Sequence, residues 1–303
     1  MLACVPALAH SQSQREPQAS LAPQETAHSL TISGTFRGFY LYLPTTPDPI
    51  AVPLVVVLHG AGGRALGFAR HTGFTQLAAR EKFAVAYPQG LERRWDDGRG
   101  LVRPRDDVGF IRAMLDTIRA EHQIDSSRIY AAGISNGAIM AHRLACDLPG
   151  TLAAIAAVAG AFPVALESHC PDSARTSLVA LQGTADPLMP YDGGGVGPAG
   201  RRGTVLSARR SADFWAARDG CATAPENADV PDHVSDGTRV TTLTWSGCEA
   251  GRSVRLYTVR GGGHTWPGGP RTGPLVGRTT HELDATTTIW DFFRAHPLAP
   301  TLH

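Results

Sequence analysis

Five residues, Gly133-Ile134-Ser135-Asn136-Gly137, constrain the folding of this chain more than any other stretch. An apolar run at 129–134 leads straight into them, and residues 138–145 follow as a good helix. A serine flanked by glycines two residues away on each side is the pattern of a nucleophile elbow. The turn from strand to helix is so tight that both flanking positions must lack bulk, and the serine is held in a strained backbone with its hydroxyl exposed. The expected context is therefore an α/β layer structure, with Ser135 as candidate nucleophile at a strand end.

A serine hydroxyl is a weak nucleophile near neutral pH, so the reading requires a histidine base and an acid to orient it. Residues 176–186 read as an apolar strand ending in a polar loop, which brings Asp186 to the carboxyl edge of a parallel sheet, where catalytic groups belong. Asp192 is the rival acid. Residues 253–260 alternate as a strand and lead into Gly261-Gly262-Gly263-His264, whose glycines let a histidine loop swing over the serine. His264 is the expected base; His122, His142 and His281 read as solvated or hydrogen-bonded loop residues. Amide donors for an oxyanion are expected at Asn136, just after the nucleophile, and at Ala61, in the loop His59-Gly60-Ala61-Gly62-Gly63 that follows the apolar run 53–58. His59 itself reads as a turn residue buttressing that loop. With no spaced set of ligands, His59 and His264 do not read as a metal site.

The rest of the chain alternates strand and helix, as a parallel sheet with crossover helices should. A hairpin is expected over 29–43, strands over 83–88 and 158–162, and helices over 108–118, 205–218 and 283–295. Asp107 is expected to cap the helix at 108–118, with Asp106 and Asp107 serving capping and helix-dipole roles rather than glycoside chemistry. A chain of 303 residues with a formal charge of +1 can bury a sizeable core and carries no electrostatic footprint for nucleic acid. No apolar stretch has membrane-spanning length, so bilayer insertion is not expected either.

These motifs, together with Tyr87-Pro88-Gln89-Gly90, Trp95-Asp96-Asp97-Gly98, Asp106-Asp107-Val108-Gly109-Phe110, Gln182-Gly183-Thr184-Ala185-Asp186-Pro187 and Gly263-His264-Thr265-Trp266-Pro267, give most of residues 30–297 a resemblance to a known family. The chain resembles the secreted esterases grouped as polyhydroxybutyrate depolymerase-like enzymes and feruloyl or acetylxylan esterases. The resemblance implies an α/β-hydrolase fold, with a mostly parallel central sheet flanked by helices. Many polymer-degrading relatives have Cys-Thr-Gln where this chain has Ala61-Gly62-Gly63, and often glycine where it has Ala138. Cys4 aside, four cysteines allow three pairings. Cys146 lies near Cys170 in sequence and Cys221 can reach Cys248; the resemblance implies those same pairs, and two bridges would indicate an oxidising compartment.

Residues 1–27 are expected to be an export-signal remnant and flexible leader, ahead of a single catalytic domain over 28–303. Residues 1–9 end in an A-x-A pattern without a positive region, and Leu2-Ala3-Cys4 resembles the end of a lipoprotein box. A secreted or periplasmic monomer is expected, with lipid anchoring through Cys4 as the alternative.

The combined expectation is a serine carboxylic-ester hydrolase with no metal and no organic cofactor. Its partner is an ester substrate, small or polymeric. Trp95 and Trp266 are expected to present apolar walls to that substrate, with core packing as the alternative for each. The same machinery supports acyl transfer to an alcohol, or less readily peptidase work, and a catalytically dead binding protein on this fold is the reading from a different class. The chain ends at His303, shortly after the closing helix, with no appended polymer-binding module. Soluble or side-chain esters (feruloyl, acetyl, or short hydroxyalkanoate) are therefore expected over crystalline polymer.

Overall fold

A computed structural model of the protein describes residues 24–46, 50–270 and 273–299. The signal-like residues 1–9 with Cys4, most of the expected leader, and the chain end at His303 lie outside the described residues. The strands are β1 (Glu25–Ile32), β2 (Thr35–Tyr42), β3 (Val52–Leu58), β4 (Ala84–Pro88), β5 (Ile124–Ile134), β6 (Ala154–Val158), β7 (Ser177–Gly183), β8 (Gly194–Gly195), β9 (Thr204–Val205), β10 (Glu226–Asp229), β11 (Arg239–Trp245) and β12 (Val254–Arg260). The helices are α1 (Ala65–Thr72), α2 (Phe74–Glu81), α3 (Asp107–Glu121), α4 (Asn136–Asp147), α5 (Ala208–Arg218) and α6 (Ala285–Ala295).

Ten strands form one sheet in the order β1-β2-β4-β3-β5-β6-β7-β12-β11-β10. The six from β4 to β12 run parallel, and antiparallel pairs finish both edges. Strands β3, β4, β6 and β7 are buried along their whole length because helices cover both faces of the sheet. Within β3 the pleat divides the side chains: Leu54, Val56 and Leu58 join the core under α3, α4 and α5, while Val55 and Val57 join the core under α1, α2 and α6.

Several boundaries differ from the sequence reading for identifiable reasons. Strand β1 opens at Glu25, inside the segment expected to be leader, where the Glu25 carboxylate accepts a hydrogen bond from Thr75 Oγ1 at 2.8 Å. The strand expected over 158–162 instead spans Ala154–Val158. The chain leaves the sheet at Ala159, which has φ 45°, and Gly160 then passes so close to the elbow that a Cβ there would lie 2.9 Å from Ser135 O. Helix α5 starts later than expected, at Ala208, where Ser207 Oγ accepts from the Arg210 amide. Helix α6 likewise waits for its cap, Asp284. The cap of α3 is Asp106, which accepts from the Gly109 amide at 2.7 Å, and not Asp107. Asp107 is fully buried, 2.5 Å from Arg37 Nη2, and also accepts from the Asp96 amide.

Disulfides join Cys146 to Cys170 and Cys221 to Cys248, closing loops of 24 and 27 residues of separation. The first ties the end of α4 to the segment after β6, and the second ties the end of α5 to the turn after β11. Each constrains the unfolded chain, so replacing either pair by serine is expected to cost about 3 kcal/mol. Chemical denaturation of each double variant checks this, and an unchanged midpoint would remove the bridge as a stabilising element. No described helix is long and apolar enough to cross a membrane.

Candidate active site

Strand β5 delivers the elbow to the carboxyl edge of the sheet. Ser135 has φ 57° and ψ −121°, a conformation that non-glycine residues adopt only where the surroundings enforce it. The enforcement is visible: the Ser135 amide donates to Val158 O at 2.9 Å, and Ser135 O accepts from the Ile139 amide at 3.0 Å. A Cβ on Gly133 would collide with the backbone of Gly137, and one on Gly137 with the carbonyl of Leu58. Both glycines are therefore required by backbone contact.

Asp186 and His264 leave the same sheet edge after the neighbouring strands β7 and β12. Asp186 Oδ1 accepts from the amides of Leu188 and Met189, both at 2.8 Å, and Oδ2 lies 2.8 Å from His264 Nδ1. The Asp186 side chain is 1% exposed and that of His264 10%. The close passage of the two loops needs Gly183, where a Cβ would run into Gly262 O. Asp192 is exposed and makes no contact with His264 among the described residues. With Nδ1 engaged, His264 Nε2 is the nitrogen left for proton transfer. Among the described residues Ser135 Oγ has no hydrogen-bond partner. A hydrogen bond between a candidate nucleophile and a candidate base often tightens only when substrate binds.

Asn136 is the first residue of α4, so its amide is one of the helix's unpaired N-terminal donors. Ala61 lies in the turn after β3, whose neighbouring amides are committed: Gly62 donates to Arg93 O and Gly63 to Gly60 O. The amides of Ala61 and Asn136 donate to no other described group, and both residues line one cleft with Ser135. Below them His59 is fully buried; its Nδ1 lies 2.8 Å from Gly60 O and its Nε2 accepts from the Gly90 amide at 3.0 Å. Burial lowers the His59 pKa, which keeps the ring neutral as these two bonds require.

The two tryptophans part company. Trp95 is 1% exposed, yet it lines the cleft, and its indole donates to His59 O at 2.9 Å. The expected substrate role of Trp266 is not supported. Its ring is 1% exposed, lies edge-on to Phe68 and Phe74, and donates to Thr286 Oγ1, because α1, α2 and α6 close over it. His142 also differs from its reading as a loop residue. It is buried in α4, accepts from Trp215 Nε1 at 3.0 Å, and burial lowers its pKa to about 3.

Sequence reasoning missed the clamp made by the Asn136 side chain. Its Oδ1 accepts from the Trp95 amide at 2.8 Å, and its Nδ2 donates to Trp95 O and to Asp97 Oδ2. Asp97 is held in turn by the Arg99 guanidinium. The motif Trp95-Asp96-Asp97-Gly98 was the available signal, but its partner lies some forty residues on, in the elbow.

Residues 37–192 match the family described as Esterase PHB depolymerase. The chain is 32% identical over 285 residues to "Putative esterase NocK" of Nocardia uniformis subsp. tsuyamanensis, covering 88% of this chain and 82% of that one. It is 28% identical to "Feruloyl esterase B" of Piromyces equi and 26% identical to "Poly(3-hydroxyalkanoate) depolymerase C" of Paucimonas lemoignei. Those alignments cover 71% and 74% of this chain but only 40% and 58% of the relatives. Among solved structures, the acetyl xylan esterase from Aspergillus awamori superposes with a TM-score of 0.62 at 16% identity, covering 89% of this chain and 99% of that one. That likeness is one of fold.

Proposed function

Because the chain belongs to the Esterase PHB depolymerase family and is a carboxylic-ester hydrolase, we propose that it is a serine esterase, exported to an oxidising compartment, that releases small acyl groups. Ser135 Oγ attacks the ester carbonyl while His264 Nε2 takes its proton. The oxyanion is held by the amides of Asn136 and Ala61. His264 returns the proton to the departing alcohol, leaving an acyl group on Ser135. Water then attacks that acyl-enzyme, again giving a proton to His264, and Ser135 leaves with it as the acid is released. Asp186 keeps the proton of the neutral ring on Nδ1 and stabilises the imidazolium. The observation that carries this reading is the 2.8 Å pair of Asp186 and His264 at the sheet edge that also bears the strained serine. The two disulfides support the compartment, since such bridges persist where conditions are oxidising.

The small size of the cleft beside Ser135, which holds about 50 Å³, supports the reading of small acyl groups. A cavity that accepts benzene measures about 150 Å³. Acetyl or short hydroxyalkanoyl esters fit that space better than feruloyl esters do. Initial rates on methyl ferulate, acetylated xylan, a hydroxybutyrate trimer and a polyhydroxybutyrate film at equal enzyme test this. The acetyl or trimer substrate is expected to turn over fastest; faster release from ferulate or from the film than from both would overturn the reading.

A further inference from the structure

We infer that the cleft beside Ser135 selects esters carrying a carboxylate close to the scissile bond, recognised by the guanidinium groups of Arg94 and Arg202. The inference rests on Ser135 being the nucleophile and adds the charge of the substrate. The charged side chains lining the cleft are Arg94, Arg99, Arg202 and Asp97, three cations against one anion. The whole chain carries only +1, so this excess is local. Arg99 is not the available charge: it is 6% exposed and bound to both oxygens of Asp97. Arg94 and Arg202 are exposed, and neither guanidinium has an acidic partner among the described residues.

Both free cations stand on backbone that is already fixed. Arg94 precedes Trp95, whose amide and carbonyl are gripped by the Asn136 side chain, and its own amide donates to Leu91 O at 3.0 Å. Arg202 sits in the loop between β8 and β9. Its amide donates to Val196 O at 2.9 Å, and its carbonyl accepts from Arg99 Nη1 at 2.7 Å. The buried Arg99–Asp97 pair thus ties the Arg202 loop to the elbow, leaving two unpaired charges beside the nucleophile. A small cleft with surplus positive charge at its wall attracts anions and orients them before reaction. Two sources offer this chemistry: the free carboxylate end of a short hydroxyalkanoate oligomer, and a uronic acid next to an acylated sugar.

The test compares each anionic ester with a neutral twin. One arm uses the linear dimer of 3-hydroxybutyrate against the same dimer capped as a primary amide. The other uses an acetylated oligosaccharide containing a uronic acid against its carboxyl-reduced form. An exposed charge pair contributes roughly two- to fivefold, so kcat/KM is expected to favour the anionic member of at least one pair by about tenfold at low salt. That ratio should fall towards one in 0.5 M NaCl and in the Arg94→Gln/Arg202→Gln double variant, and be partly kept by Arg94→Lys/Arg202→Lys. The responding arm identifies the source of the carboxylate. Equal rates on both members of both pairs, or a ratio that survives the double glutamine variant, would overturn the inference while leaving the esterase reading intact. If wild type hydrolyses none of the four esters, the reading as an esterase for small acyl groups falls instead. Binding of 3-hydroxybutyrate to wild type and the double variant, followed by ligand-observed NMR, then decides: loss of binding in the variant supports the cleft, and equal or absent binding refutes it.

Discussion

Ser135→Ala is expected to lower kcat on a simple acetate ester by about 10⁵- to 10⁶-fold, with an unfolding midpoint close to wild type. The hydroxyl is the only group removed, and Ser135 Oγ contributes no hydrogen bond to the described fold. Its backbone bonds to Val158 and Ile139 survive the change. His264→Ala is expected to cost about as much. The double variant should be no worse than either single one, because once the nucleophile or its base is lost the other has nothing to act on. Single-turnover measurements with matched unfolding curves check both parts. Retention of more than a few per cent of turnover by Ser135→Ala, or losses that multiply in the double variant, would remove Ser135 from the chemistry.

Asp186→Asn is expected to cost about 10⁴-fold in kcat, while Asp192→Asn stays within about twofold of wild type. The reason lies in the two amides that donate to Asp186 Oδ1. An asparagine at this position keeps its oxygen towards Leu188 and Met189 and turns its NH₂ towards His264 Nδ1. The ring must then accept at Nδ1 and carry its proton on Nε2, the tautomer that cannot take a proton from serine. The loss should appear in kcat with the fold unperturbed. A crippled Asp192→Asn beside an active Asp186→Asn would reverse the assignment of the acid.

Much of the architecture was legible because the relevant signals are local. The apolar run 53–58 is buried on both faces and forms a strand, and the elbow's glycines answer to contacts within a few residues or with the adjacent strand. The order of serine, acid and histidine marks three strand ends that the sheet topology brings to one edge. What could not be read depends on partners remote in sequence. Asp107 looks like a helix cap until Arg37, seventy residues earlier, is seen to pair with it in the core. Trp266 looks like a substrate wall because it follows His264 by two residues, but its surroundings come from α1, α2 and α6. Arg94 and Arg202 carry no motif at all and line one cleft, where the Arg99–Asp97 pair bridges their loops. Ala159 defeated the strand expected over 158–162 because the reversal near the elbow overrides the β preference of its neighbours.

The outermost strand at the far edge of the sheet, β10, is only Glu226–Asp229, and all four residues are exposed. A sheet of ten strands with an open edge invites a second molecule to add its own edge and extend the ladder. Were two copies to join symmetrically through this strand, the antiparallel register would set Glu226 of each opposite Asp229 of the other. Like charges directly across a ladder repel, and they would do so twice in four residues. This short acidic border therefore works against dimerisation through the β10 edge.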